Sequence, residues 1–262
     1  MIGLFFGDTD FPKLILKNIK KKKKNYFIID LTKNNIFRND INSYRISIGQ
    51  FGKILKLIKE KKCKKVIFAG KINKPKFSQL KLDITGIYYI PRVIKAAKKG
   101  DAAILKELIK ILSIEKINVI SSTYFNPELS LSKGNYSKLK ANKYDLLDIK
   151  KGINSLKKSN SYDHVQAAIV RNNFVIKETS KGTKKLLQTI KKIKKNSGIL
   201  IKFPKIKQDL RADLPTVGLE TFKDCKKAGI KGVVLKSKQN IFLEKKECIK
   251  FANENKMFIA VI

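Results

Sequence analysis

Asp209, Arg211 and Asp213 lie within the stretch Lys202-Phe-Pro-Lys-Ile-Lys-Gln-Asp-Leu-Arg-Ala-Asp-Leu-Pro215. Its two prolines argue against a helix, and Leu214, which precedes Pro215, is biased to an extended conformation. Alternate side chains of an extended chain share one side, so carboxylate, guanidinium and carboxylate would face the same way. Arg211 can then hold a phosphate while Asp213 binds Mg²⁺ or orients a water. The competing reading is a surface ion-pair ladder that contributes little. Four glycines, Gly7, Gly49, Gly52 and Gly70, fall where a strand ends or a helix begins. Such positions line the crevice of an open parallel sheet, where bare backbone N–H groups and a helix N-terminus favour a phosphate. There is no GxGxxG and no GxxxxGK[ST], so for any single glycine an ordinary βα turn is the simpler reading. Asp8 and Asp10 follow the first strand and suit either a site or a turn. Asp101, after Gly100, is placed to cap a helix.

Composition narrows the chemistry. His164 is the only histidine, and Cys63, Cys225 and Cys248 show no CxxC spacing. A histidine-rich zinc or two-metal centre cannot be built, and no GxSxG elbow is present. An enzyme of this composition works with carboxylates, lysines and a hard metal such as Mg²⁺. The 262 residues carry 59 Lys+Arg against 21 Asp+Glu, a formal net charge of +38. Arginine is scarce for a protein selected to grip nucleic acid, and the lysines are dispersed among Ile and Asn, as codon drift would leave them. A surface this positive still attracts phosphates and anionic lipid. Lys20–Lys24 is the densest basic run, read as a solvated helix end or a contact for anionic headgroups. No apolar run reaches the roughly 18 residues of a membrane span, and no signal peptide is expected at the N-terminus.

The elements that must position these residues alternate. Residues 1–126 read as an N-terminal α/β domain with strands at Ile2–Phe6, Tyr26–Leu31, Tyr44–Ile48, Val66–Ala69 and Ile117–Ser121. Helices are expected from Pro12, over Lys53–Lys61, from about Ile90 to Lys98, and after Asp101. This rhythm implies an open, mostly parallel sheet. Residues 127–142, rich in Ser, Lys and Asn, read as a linker. Residues 143–262 read as a C-terminal mixed α/β domain. Its helices are expected at Leu146–Lys157, Lys184–Lys195, Glu220–Ala228 and Glu244–Asn255, with a hairpin turning at Asn172-Asn173.

The ordered set Gly3-Leu-Phe-Phe-Gly7, Phe11-Pro12, Gly49-Gln-Phe-Gly-Lys53, Phe68-Ala-Gly70, Lys99-Gly-Asp101, Gln166-Ala-Ala, Gly182-Thr183 and Gln208-Asp-Leu-Arg-Ala-Asp-Leu-Pro-Thr-Val-Gly218 resembles one family. It is the two-domain UDP-2,3-diacylglucosamine diphosphatases of lipid A biosynthesis, which are not metallophosphoesterases. The resemblance implies two α/β domains, the first Rossmann-like, with a cleft between them. It implies Mg²⁺-dependent hydrolysis of UDP-2,3-diacylglucosamine to UMP and 2,3-diacylglucosamine 1-phosphate, with water directed at the sugar-side phosphorus. Asp213 matches the family's key aspartate, with Arg211 as its catalytic companion. Asp209 and Asp101 join Asp213 as expected metal ligands. Substrate contacts are expected from Gly7, Asp8, Gly49, Gly52, Gly70, Lys71, Lys99, Gly100, Gln166, Gly182, Thr183, Lys202 and Gln208. The implied setting is the cytoplasmic face of a Gram-negative inner membrane, with the anionic bilayer as a peripheral partner. A homodimer is compatible with this reading, and no specific nucleic acid is expected.

The chain also departs from the pattern. Ala102 replaces an acid of Gly-Asp-Asp, and Lys181 and Lys184 replace both acids of Glu-Gly-Thr-Asp. Reduced activity, a changed metal requirement or a substrate-binding homologue follow as alternatives. A basic nucleic-acid-binding protein is favoured only by net charge; it wants a contiguous stripe with exposed aromatics or Arg.

Overall fold

The computed structural model describes residues 1–72, 77–158, 165–179, 181–190, 197–205 and 208–262. The chain divides into two compact units, Met1–Pro127 and Glu128–Ile262. In the first, the elements run β1 (Ile2–Phe6), α1 (Phe11–Lys21), β2 (Tyr26–Asp30), β3 (Ser43–Tyr44), α2 (Phe51–Glu60), β4 (Lys65–Ala69), α3 (Ile84–Ala97), α4 (Asp101–Ile114) and β5 (Asn118–Val119). Their strands form one sheet in the order β3-β2-β1-β4-β5, with every pairing parallel. The cores of β1, β2 and β4 are near-continuous apolar runs, as strands covered on both faces require. The chain starts in the middle of the sheet, builds outward to β3, then returns to the other side of β1. The order therefore reverses between β1 and β4, which opens a crevice beyond their carboxyl ends.

The helices follow from their spacing. In α2, Phe51, Ile54, Leu55 and Ile58 are buried on one stripe. Pro12 opens α1, and Lys20 and Lys21 complement the dipole of its last turn. Two expectations are corrected. The helix expected from Ile90 begins at Ile84 and carries Pro91 inside it. Proline inside a helix removes a hydrogen bond, but Pro91 faces solvent, and Asp83 caps the first turn well before it. The strand expected over Tyr44–Ile48 pairs only at Ser43–Tyr44, because the chain then turns, with Gln50 N–H donating to Ser47 O.

In the second unit the order is β6 (Gly134–Asn135), α5 (Lys143–Lys158), β7 (Ala167–Arg171), β8 (Phe174–Lys177), α6 (Gly182–Thr189), β9 (Ile199–Lys202), β10 (Thr216–Val217), α7 (Leu219–Lys227), β11 (Gly232–Leu235), β12 (Ile241–Phe242), α8 (Lys245–Glu254) and β13 (Phe258–Val261). Six strands form a mixed sheet, β6-β13-β11-β9-β7-β8, in which β13, β11 and β9 are parallel and the rest antiparallel to their neighbours. One face packs on α5 through Ile149, Ile199, Ile201 and Phe258. The other packs on α6, α7 and α8 through Leu187, Leu200, Phe222 and Ala252. Asn172 and Asn173 both take positive φ, 48° and 63°, which is the turn a two-residue hairpin demands. Residues 127–142 are not a free linker: Leu131 sits in this core, and Gly134-Asn135 pair with β13. Their polar composition reflects a short edge strand and its turns rather than a spacer.

All three cysteines are buried and unpaired. Burial pushes each thiol up, Cys248 to about 12. Among the described residues no helix is long and apolar enough to cross a membrane.

Candidate functional site

The crevice between β1 and β4 is laced shut by backbone. Asp8 and Lys71 exchange hydrogen bonds, Asp8 N–H to Lys71 O at 2.8 Å and Lys71 N–H to Asp8 O at 2.7 Å. Gly7 N–H donates to Ala69 O at 2.9 Å. A Cβ on Gly7 would meet Lys71 O at 2.5 Å, and one on Gly70, whose φ is +86°, would meet Gly7 O at 2.6 Å. These glycines permit two strand ends to touch, so the donors expected to cradle a phosphate are spent within the fold. Asp30 closes β2, where dinucleotide folds place an acid for a ribose. Its carboxylate is fully buried and accepts from Thr32 N–H, Thr32 Oγ1 and Phe37 N–H.

The start of α2 is likewise filled. Asp83 Oδ1 accepts from Gly52 N–H at 3.1 Å and from Gly86 N–H at 2.7 Å, while Oδ2 accepts from Lys53 N–H at 3.0 Å. One carboxylate thus caps α2 and α3 together. Partial burial pushes it up, but the three N–H groups and Lys53 outweigh that and hold it below the usual carboxylate range. Gly49 is bare because the Lys81 carbonyl packs against it, at 2.6 Å from where a Cβ would stand. The site that the spacing assigns to a ligand anion is held by a side chain of the chain itself. Gly100 is the N-cap of α4, with φ of 109°, and Asp101 is the first helical residue rather than the cap. Lys71 and Lys99 are exposed.

In the second unit several expected residues do meet. Pairing sets Lys202, at the end of β9, beside Ala167 at the start of β7, and Phe203 N–H donates to Gln166 O at 2.9 Å. Beside them, just past β8, stands Glu178, only 3% exposed. Its Oε1 accepts from Gln166 N–H at 2.7 Å and its Oε2 from Thr183 Oγ1 at 2.9 Å. Gly182, with φ of +80° and open space where a Cβ would be, starts α6 and presents Thr183. Lys202 is 8% exposed and donates from Nζ to Thr216 O at 2.9 Å. Burial pushes its ammonium below lysine's usual value, against the pull of Glu178, Cys225 and Asp213. A cation this deep needs a partner, and the Thr216 carbonyl supplies one, with the charges of Glu178 and Asp213 adding a favourable field.

The loop that carries Asp213 is not extended. Asp213 N–H and Ala212 N–H both donate to Asp209 O, at 2.9 and 3.2 Å, so residues 209–213 form a tight turn. The proline bias at Leu214 acts one residue too late to open it. Asp209 instead forks its neighbour: Arg211 Nε donates to Oδ1 at 3.0 Å and Nη2 to Oδ2 at 2.7 Å. The shared face of Asp209, Arg211 and Asp213 is therefore replaced by an exposed pair and a half-buried Asp213 whose charge is felt by Lys202. Gln208 is buried. Its Oε1 accepts from Lys205 N–H at 2.8 Å, and its Nε2 meets no acceptor among the described residues. Such an orphaned donor marks a place for a polar ligand or water. His164 lies outside the described residues, as do Ile206 and Lys207.

Among the described residues no three acidic, histidine or cysteine side chains are grouped to hold a metal. Asp209 is bound to Arg211, and Asp101 belongs to the first unit. Mg²⁺ does not require a protein cage; it keeps waters and is carried on phosphates through one or two carboxylates. Asp213 fits that part. Glu178 and Asp83 escaped the sequence reading. Their signal is scarcity: each is one of 21 acids, set directly after a strand or before a helix.

Two family models match nearly the whole chain, LpxI N-terminal domain over residues 1–129 and LpxI C-terminal domain over residues 132–260. A curated relative, UDP-2,3-diacylglucosamine pyrophosphatase LpxI of Caulobacter vibrioides, is 29% identical over 223 residues, covering 82% of this chain and 80% of the relative.

Proposed function

The chain belongs to the LpxI family, and from that premise we propose that it hydrolyses the pyrophosphate of UDP-2,3-diacylglucosamine. The observation that carries this reading is the buried Lys202 at the carboxyl end of β9, bound to Thr216 O and within the electrostatic reach of Glu178 and Asp213. Pyrophosphate hydrolysis needs little covalent help from protein; it needs charge neutralised and a water aimed. Asp213 orients the water and takes its proton. The water oxygen bonds to the sugar-side phosphorus, and the bond from that phosphorus to the bridging oxygen breaks. The bridging oxygen leaves with UMP. Lys202 faces the charge that develops on the phosphoryl oxygens. Glu178, tied to Gln166 and Thr183, adds a negative charge that favours the Lys202 ammonium. Mg²⁺, held by Asp213 and the pyrophosphate oxygens, would neutralise phosphate charge and lower the barrier further. The acylated substrate places this work at an anionic membrane surface.

The test is UMP release from UDP-2,3-diacylglucosamine by purified protein, with Mg²⁺ or with EDTA, in ¹⁸O-water. Label in the sugar phosphate, and turnover that EDTA abolishes, are the expected results. Label in UMP would move the attack to the other phosphorus. Turnover that survives EDTA would remove Mg²⁺ from the scheme. No turnover by folded protein would favour the binding homologue, to which Lys181 and Lys184 point.

The depressed ammonium of Lys202 sets a pH dependence. The charged form is the working form and is lost as pH rises. The alkaline limb of kcat should therefore fall well below the ordinary lysine pKa of about 10.4. In Lys202→Arg, which stays charged, that limb should vanish. A limb that persists unmoved in Lys202→Arg would assign it to another group.

A further inference from the structure

The helix α3 exposes a stripe that nothing among the described residues of the first unit covers. Ile84 is 88% exposed, Ile87 59% and Tyr88 72%, and Ile94 is exposed as well. With Pro91 these fall at i, i+3, i+4, i+7 and i+10, one side of a helix. Three large apolar side chains within five residues form a contiguous patch, not scattered surface hydrophobes. The same side continues into Lys95 and Lys98, both exposed. No acid occurs anywhere in α3. Its one arginine, Arg92, is turned to α4 and paired with Glu107 at 2.7 Å. The buried side carries Gly86 and Tyr89, and Tyr89 donates to Glu115 Oε1. The helix is thus held at its back and left apolar at its front, with free-standing positive charge at one end.

We propose that this face of α3 is the surface by which the protein seats on an anionic lipid bilayer, Ile84, Ile87 and Tyr88 entering the interface and Lys95 and Lys98 meeting headgroups. Charge decides the occupant. A second copy would bring another chain of net charge +38 against this one, whereas an anionic bilayer is complementary to both halves of the stripe. An apolar front with lysines beside it is the composition of a helix that lies in the membrane interface. The basic run Lys20–Lys24, the densest in the sequence, lacks such a front: Lys20 is bound to Asp40 at 2.7 Å, and the exposed neighbours are lysines. The inference rests on the function proposed above only for the acylated substrate that brings the protein to a membrane. Its test contains no substrate, so it can fail while hydrolysis stands, and the reverse.

The chain has no tryptophan, so one introduced residue reports alone. Tyr88→Trp and, elsewhere on the first unit, the exposed Tyr124→Trp would be mixed with vesicles of phosphatidylethanolamine and about one-quarter phosphatidylglycerol. Tyr88→Trp should shift to the blue and be quenched by bromine-labelled acyl chains, and Tyr124→Trp should do neither. Ile84→Ser/Ile87→Ser/Tyr88→Ser should lower vesicle partitioning about tenfold or more, with unchanged circular dichroism. Lys21→Gln/Lys23→Gln/Lys24→Gln should lower it less. An unshifted Tyr88→Trp, or a triple serine variant that partitions like the wild type, would overturn the proposal. So would a Tyr88→Trp shift that follows protein concentration without vesicles while the mass doubles, which would give this face to a second copy.

Discussion

Asp213→Asn is expected to slow UMP release about a thousandfold, roughly 4 kcal/mol of transition-state stabilisation, while KM changes little. Asparagine keeps the size and the hydrogen-bonding reach of aspartate, and the turn that presents residue 213 is made by backbone donation to Asp209 O. The melting temperature should therefore stay within a few degrees. What is lost is the negative charge that takes a proton and faces Lys202. That second loss is readable on its own. Asp213 raises the Lys202 ammonium, so the variant's residual activity should show an alkaline limb at lower pH than the wild type. A variant that keeps turnover within threefold would exclude Asp213 as the water-positioning group. One that is slowed a thousandfold but shows no movement of the limb would separate Asp213 from Lys202.

Asp83→Ala is expected to cost the first unit about 3 kcal/mol. A single lost N-cap costs about 1 kcal/mol and reaches about 2, and this carboxylate serves two helices at once. Urea unfolding should show the loss in the transition of that unit alone, with the slope unchanged. The pH dependence has a definite sign. The folded carboxyl is held below its unfolded value, so its contribution is complete above about pH 4 and fades as pH falls through the folded pKa. The gap between wild type and Asp83→Ala should close in acid. Asp83→Asn, which keeps one acceptor oxygen, should fall between them. A gap that is constant from neutral pH to acid would mean that packing around residue 83, not its charge, holds the two helix starts.

Much of the architecture was legible because burial writes itself as pattern. Ile2–Phe6 and Val66–Ala69 carry no polar side chain since both sides of those strands are covered, and the Asn172-Asn173 pair announces its turn by tolerating positive φ. Helix ends with glycine were equally plain, as at Gly229, where φ is 69°. Reading failed where one residue's partner lies far along the chain. Asp83 sits 31 residues from Gly52, and no local rule links a cap to a second helix. The first two turns of α3, from Ile84, are not legible because the cost of Pro91 inside a helix depends on its exposure, which spacing does not reveal. The candidate site divides the same way. Gln166, Thr183, Lys202 and Asp213 are legible in the sequence, but Glu178, which ties the first two together, is not. Its burial is a product of the hairpin and of β9, not of its neighbours in sequence.

The sealed cysteines give the molecule a built-in clock. A thiol that is buried and reluctant to ionise is silent toward alkylating and disulfide reagents until the surrounding core parts. Cys63 lies in the first unit, Cys225 and Cys248 in the second, so each half carries its own shutter. With enough reagent that labelling outpaces reclosing, the rate at which each thiol reacts in native buffer is the frequency at which that half opens. Oxidising conditions should leave the closed chain untouched and mark only the copies that have already begun to come apart.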